Sequence, residues 1–189
     1  MSATEDMDTA MTYARVDRMS TPMPADVFVP GPATSRQFRD ALGAFSTGVT
    51  VVTAQSSLGP LGITANSFAS LSLDPPLVLW SPARHSRRFD AFTRAEHFAI
   101  HVLGADQIDV GMHFARQGHD FDLPDVVMNA QGVPVLPGCL AVFECRRAAI
   151  HDGGDHAIVV GRVLAAQHRT GAPLVFQGGC YGRFTPEQG

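Results

Sequence analysis

Lysine is absent from this chain: all 14 basic residues are arginine. The absence removes chemistry built on a lysine amine, namely a P-loop phosphate clamp, a Schiff base with a carbonyl substrate, and pyridoxal phosphate held as an imine. It also dictates how any phosphate is held: by guanidinium, hydroxyl or backbone N–H groups. Cysteine is scarce. Cys139, Cys145 and Cys180 form no C-x-x-C pair, and the odd, sparse count argues against a disulfide framework and a structural zinc site. No apolar run reaches the ~18 residues of a membrane span. The first residues carry no apolar signal region, so a cytoplasmic protein without a membrane partner is expected. Positive charge is not in excess: 14 basic against 18 acidic side chains leave a net charge of −4, and nucleic acid is not an expected partner. The motifs G-x-G-x-x-G, G-x-S-x-G and H-E-x-x-H are all missing. His97 and His101 stand four apart, but on a strand that spacing spans about 13 Å at about 3.3 Å per residue, so no metal site is expected.

What is present describes one globular domain with a tail. The chain has 189 residues, 45% of them hydrophobic and 17% charged, enough for a sizeable core. Residues 1–34 differ from the rest. They hold Pro22, Pro24, Pro30 and Pro32, and set Glu5, Asp6, Asp8, Asp17 and Asp26 against only Arg15 and Arg18, a net −3. They read as a flexible N-terminal arm, or as a segment that docks on a partner subunit, ahead of a domain over residues 35–185.

Within the domain, Ser35 caps a short helix with Phe38, Leu42 and Phe45 on one face, ended by Gly48. Val49–Ala54 and Leu61–Asn66 read as a hairpin, and Leu77–Trp80 as a short buried strand after Pro75-Pro76. Ser86 starts a helix through Arg94, with Phe89 and Phe92 inward. His97–Leu103 alternates Phe98, Ile100 and Val102 on one side, as a strand does. Asp106–Ala115 is helical, residues 117–137 are loop-rich, and Leu140–His151 and Ala157–Gln167 form a second hairpin across Asp152-Gly-Gly-Asp155. Pro173–Phe176 is a last strand, and the glycines of Gly178-Gly179-x-x-Gly182 read as a flexible chain end. Short strands joined by hairpins with a few inserted helices predict a mainly β fold, an antiparallel barrel with peripheral helices, not a parallel βαβ sheet.

One stretch concentrates polar groups. Thr64, Asn66, Ser67, Ser70, Ser72 and Asp74 stand among apolar residues, and the following strand runs into Ser81-Pro-Ala-Arg-His-Ser86-Arg87-Arg88. Two arginines in a first helical turn oppose the helix dipole unless an anion compensates, which points to a phosphate near Ser86; an ordinary capped helix with solvated arginines is the competing reading. His156, at the exit of the Gly153-Gly-Asp turn, is either a surface histidine or an imidazole that positions a substrate or handles a proton. Composition and pattern thus reach an antiparallel barrel binding a phosphorylated ligand.

Read in order, further segments extend this picture. They are Phe45-Ser-Thr-Gly-Val-Thr-Val-Val-Thr, Ile63-Thr-Ala-Asn-Ser-Phe-Ala-Ser-Leu-Ser-Leu-Asp-Pro-Pro-Leu-Val-Leu, His85-Ser-Arg, Phe98-Ala-Ile-His-Val-Leu, Val133-Pro-Val-Leu-Pro-Gly, His151-Asp-Gly-Gly-Asp-His-Ala-Ile-Val-Val-Gly-Arg-Val and Pro173-Leu-Val-Phe. With these the chain resembles the flavin reductase family, in particular the reductase components of two-component flavin-dependent monooxygenases. The resemblance implies an FMN-binding split β-barrel acting as a homodimer. It implies reduction of FMN or FAD by NADH or NADPH, the reduced flavin passing to a partner monooxygenase. It places Thr47, Gly48, Val49 and Thr50 along the isoalloxazine, and Thr64, Ala65, Asn66 and Ser67 at the ring edge and ribityl chain. It sets Ser81, Ser86 and Arg87 at the phosphate end, and His156 near the nicotinamide. The competing readings are a flavoprotein oxidase that retains FMN and a non-enzymatic flavin- or haem-binding barrel. Gln177-Gly-Gly-Cys stands where the family often has an Arg-Gly pair, and Trp80 is bulky for its position.

Overall fold

Runs of β-branched and apolar residues separated by glycine and proline turns fold here as antiparallel strands. The computed structural model describes residues 27–186, so most of the expected arm, residues 1–26, lies outside the described residues. A short helix, α1 (Ser35–Gly43), leads into β1 (Thr47–Gly48), β2 (Thr50–Ser56), β3 (Gly59–Ala65), β4 (Ala69–Ser72) and β5 (Leu77–Trp80). Helix α2 (Phe89–Arg94), strand β6 (His97–Val102) and helix α3 (Ile108–Arg116) follow. Then come β7 (Val127–Met128), β8 (Pro134–Val135), the long hairpin β9 (Ala141–Gly153) and β10 (His156–His168), and the hairpin β11 (Leu174–Gln177) and β12 (Cys180–Arg183).

Seven strands form one sheet in the order β3-β2-β6-β9-β10-β5-β4, and β1-β11-β12 form a second sheet of three. Leu61 of the edge strand β3 and Val78 and Trp80 of β5, near the opposite edge, belong to one buried cluster with Val52, Phe92, Phe98, Ile100 and Val159. Side chains so far apart in strand order meet only if the sheet curls around them, which makes the barrel. Trp80 fills this interior, edge-on to Phe92 with ring centroids 5.2 Å apart, so its bulk is core packing. A second cluster covers the other face of β2 and β6: Val51, Ala99, Leu103, Phe114 of α3, Leu136 and Leu174.

Several sequence expectations change. His97–Leu103 is not one-sided: Phe98, Ala99, Ile100 and His101 are all buried, because β6 lies between β2 and β9 with a cluster on each face. Helix α1 ends at Gly43, not Gly48, because Thr47 and Gly48 pair with Phe176 and Val175; Ser35 is its first helical residue and makes no side-chain cap. Its Phe38, Leu42 and Phe45 stay exposed. The helix expected from Ser86 begins only at Phe89. Ser86 instead closes a turn, its Oγ accepting from the Arg88 N–H at 3.2 Å while its carbonyl accepts from Phe89 N at 3.0 Å. Gly178 and Gly179 are no loose end. At φ +55° and +85° they form the two-residue turn of the β11–β12 hairpin, with Gln177 opposite Cys180. Strand β4, unforeseen, pairs with β5, and the loop-rich segment holds the small hairpin β7–β8.

Candidate functional site

The end of β3, the C-terminal hairpin and α1 enclose two adjoining cavities. The smaller, about 180 Å³, is lined by Val49, Thr64, Ala65, Asn66, Ala115, Phe176 and Tyr181. The larger, about 520 Å³, runs beneath α1 past Leu42, Phe45, Thr47, Asn66, Phe176 and Gln177. Asn66 and Phe176 line both. Of the residues expected around the ring, Thr47, Val49, Thr64, Ala65 and Asn66 are thus brought together. Two of their hydroxyls are already engaged: Thr50 Oγ1 donates to Ala65 O at 2.7 Å, and Thr64 Oγ1 to Gly111 O at 2.5 Å. These brace β2 on β3 and β3 on α3, and so shape the wall rather than face a ligand. Gly48, in β1 beside Thr47, pairs with Val175 of β11.

Thr47 Oγ1 is different. It is buried without a hydrogen-bond partner, a state shared among the described residues only by Trp80 Nε1. The indole nitrogen lies inside an apolar cluster, where a lost bond is a cost of packing. Thr47 lines the larger cavity, and a turn about its χ1 would bring the closed-off hydroxyl to a polar ligand there. That is what a ring bearing carbonyl and ring-nitrogen acceptors requires, so the residues present fit a flavin.

The residues expected at the phosphate end lie on a separate strip. Ser67 Oγ accepts from Ser81 N at 2.9 Å and donates to Ser81 O at 3.2 Å, stapling the start of β4 to the end of β5. Residues 82–88 run on along the tip of the β9–β10 hairpin: Ala157 N donates to Pro82 O at 3.1 Å, Arg84 N to Asp155 O at 2.8 Å, and Ala83 bridges His156. The Arg84 guanidinium meets Asp152 at 2.5 Å and Gly154 O at 2.9 Å. His156, its side chain 41% exposed, sits 2.7 Å by Nδ1 from Asp155 Oδ1. This contact holds the Asp155 carboxyl below the usual carboxylate range; it keeps the hydrogen on Nδ1 and turns Nε2 outward. Arg87 is exposed and lines a third, polar groove with Gln55, Ser56, Ser57, Asp90 and Arg94. Ser86 and Arg87 therefore share no cavity with Asn66; the Ser67–Ser81 staple is one link between the strip and the β3 end.

Three contributors were not foreseen. Phe176 and Tyr181 pack at 5.2 Å between ring centroids and form one wall of the smaller cavity. Their signal was present in the Gly-Gly pair flanked by alternating residues, a two-residue hairpin turn. Gln177 donates to Ala44 O at 3.1 Å and holds the α1 end against the hairpin. Cys139 and Cys145 offer no ready thiolate: burial pushes their thiols up to about 11 and about 12, whereas Cys180 is free and exposed. Among the described residues no cluster of His, Cys, Asp and Glu has metal-site geometry, and no helix is long and apolar enough to cross a membrane.

A curled antiparallel barrel with a polar β3–β4 corner and a ring-sized groove defines the class, and residues 42–185 match the flavin reductase like domain. The chain belongs to the flavin reductase like family. It is 64% identical to the FMN reductase (NADH) SmoA of Agrobacterium fabrum, over 84% of this chain and 91% of that protein. It is 39% identical to the reductase subunit HsaB of a flavin-dependent monooxygenase from Rhodococcus jostii, over 81% of this chain and 80% of that one. Two other curated relatives are longer, the chain spanning 51% and 49% of their length. Among solved structures, the NADH:FAD oxidoreductase SgcE6 of Streptomyces globisporus C-1027 superposes with a TM-score of 0.80 at 38% identity, covering 87% of this chain and all of that one.

Proposed function

We propose that this protein oxidises NADH, reduces FMN or FAD, and releases the reduced flavin to a separate flavin-dependent monooxygenase. The observation that carries this reading is the groove on which Asn66, Phe176 and Thr47, with its partnerless hydroxyl, converge. The flavin supplies the hydride-accepting chemistry when bound; the chain supplies binding, orientation and exclusion of water. Phe176 and Tyr181 offer apolar ring contact, and Thr47 and Asn66 offer polar contact at the ring edge. The N–H groups of Asn66 and Ser67 lie past the last β2–β3 pair, Thr50 with Ala65, and are placed to stabilise negative charge at that edge. Ser81, Ser86 and Arg87 take the phosphate. His156, its tautomer set by Asp155, orients the nicotinamide through Nε2. Hydride transfer needs no strong acid or base, in keeping with cavities whose ionisable lining is limited to Arg39, Asp40 and Tyr181.

A homodimer belongs to this reading: α1 has no buried residue, and its apolar face is left for a second copy to cover. So does a cytoplasmic location, where NADH is available. The purified chain should consume NADH only when FMN or FAD is added, and flavin-independent turnover or none at all would overturn the assignment. His156→Ala should raise the NADH KM about tenfold with little change in the flavin KM, the size of one lost hydrogen bond. Unchanged NADH kinetics would remove His156 from the site.

A further inference from the structure

Arg87 and Arg88 are neighbours of opposite fate. Arg87 extends into solvent, whereas the Arg88 side chain folds back across the molecule. Its Nη1 donates to Gly62 O at 3.0 Å and Phe114 O at 2.6 Å; its Nη2 donates to Arg116 O at 3.2 Å and Ala115 O at 3.5 Å. Three of these carbonyls belong to the last turn of α3, where they lack intrahelical partners and a cation is favoured. The fourth belongs to β3, an edge of the sheet, whose outward backbone groups need cover; the Gly62 N–H is met in the same way, by Gly118 O at 2.8 Å. Gly118 itself lies against the arginine: a Cβ there would stand 2.8 Å from Arg88 Nε and 3.0 Å from Cδ. No lysine could replace this planar fork, since an ammonium is a single point of donation.

What the fork joins is the point. It connects the strip after β5, where the phosphate is placed, to β3 two residues before Thr64 and to α3 at Ala115. Thr64 and Ala115 both line the smaller cavity. The Ser67–Ser81 staple ties the same two parts at another point. The turn also uses Ser86 Oγ as an acceptor for Arg88 N, which leaves the Ser86 O–H free to donate outward.

We infer that Arg88 is a positioning residue that fixes the distance between the phosphate-holding strip and the ring-holding cavity, and so determines how strongly the protein prefers a phosphorylated flavin. Arg88 does not touch the phosphate; it sets where Ser86 and Arg87 stand when the ring is seated. The inference rests on the phosphate placement proposed above and names a determinant of that same site.

Direct binding tests it without turnover. Dissociation constants for FMN and riboflavin, which differ only by the phosphate, are measured by flavin fluorescence for the wild type, Arg87→Ala, Arg88→Gln, Arg88→Lys and Gly118→Ala. The wild type should bind FMN roughly tenfold or more tighter than riboflavin. Arg88→Gln should reduce that preference to about threefold or less, the riboflavin constant moving less than about twofold. Gly118→Ala keeps every charge but displaces the fork, and should lower the preference in the same way; Arg88→Lys keeps the charge without the fork and should follow. A preference retained in Gly118→Ala or in Arg88→Lys would show that charge alone matters and overturn the inference. Equal weakening of both ligands, or a Gly118→Ala protein that does not fold, would show that the fork serves stability alone and overturn it too. If the wild type or Arg87→Ala shows no phosphate dependence, the phosphate placement itself fails, a result distinct from loss confined to the Arg88 and Gly118 variants.

Discussion

Gly62→Ala should destabilise the protein by about 2–3 kcal/mol, a large effect for one methyl group and near the top of the usual overpacking range. The added Cβ would stand 2.4 Å from Phe114 Cδ1 and 2.5 Å from Cε1. The Phe114 ring has nowhere to go. It is fully buried, edge-on to His113 at 4.9 Å between centroids and tilted against Phe121 at 5.0 Å. Helix α3 must therefore move off β3, straining the 2.5 Å bond from Thr64 Oγ1 to Gly111 O and the Arg88 contacts to the helix end. Because Thr64 and Ala115 line the smaller cavity from those two elements, flavin affinity should fall together with stability. For a chain of this size the melting temperature should drop roughly 5–10 °C. Adding Phe114→Leu should recover part of the loss, as coupled neighbours do. A Gly62→Ala protein within about 0.5 kcal/mol of wild type would refute this account of the β3–α3 contact.

Acid should weaken the fold through His101. Its Nε2 accepts the Leu136 N–H at 3.1 Å, so the ring hydrogen is on Nδ1, which donates to Val51 O at 3.0 Å. The neutral imidazole satisfies both bonds; a second ring hydrogen would face the Leu136 N–H. Complete burial holds the imidazole pKa down to about 4, only partly offset by the Val51 carbonyl. The folded value lies below the unfolded one of about 6.5, so the unfolded chain binds the proton more readily. Stability is then full above about pH 6.5 and is lost as pH falls toward 4, by about 3 kcal/mol in all. Urea midpoints between pH 7 and 4 measure this. His101→Gln supplies one donor and one acceptor without titrating, and should flatten the dependence at some cost at neutral pH. A wild-type midpoint that does not fall between pH 6.5 and 4.5 would exclude this role.

The strands and their turns were legible because their signals are local. Val49–Ala54 and Leu61–Asn66 carry β-branched residues around a glycine-proline turn, and the long β9–β10 hairpin carries Gly-Gly at its bend. The polar corner at Asn66 and Ser67 was legible as chemistry. Other features depend on contacts distant in sequence. Thr47 and Gly48 read as the tail of α1 until β11 pairs with them. Ser86 read as a helix cap, although the arginine two residues on is drawn across the molecule by four carbonyls, three of them in α3. The wall formed by Phe176 and Tyr181 was hidden because two glycines look alike in a frayed end and in a tight turn; only their positive φ values separate the two. For His101 the sequence excludes a metal site by spacing but does not show its role, which is to join two backbone groups inside the core.

The pairing of Thr47 with Phe176 has a consequence for biosynthesis. The ribosome delivers Thr47 well before Phe176, so a nascent polypeptide can build much of the large sheet while its groove stays unwalled. Capture of flavin must then wait for Phe176 to emerge, and a message truncated before its codon would yield a chain that lacks that wall.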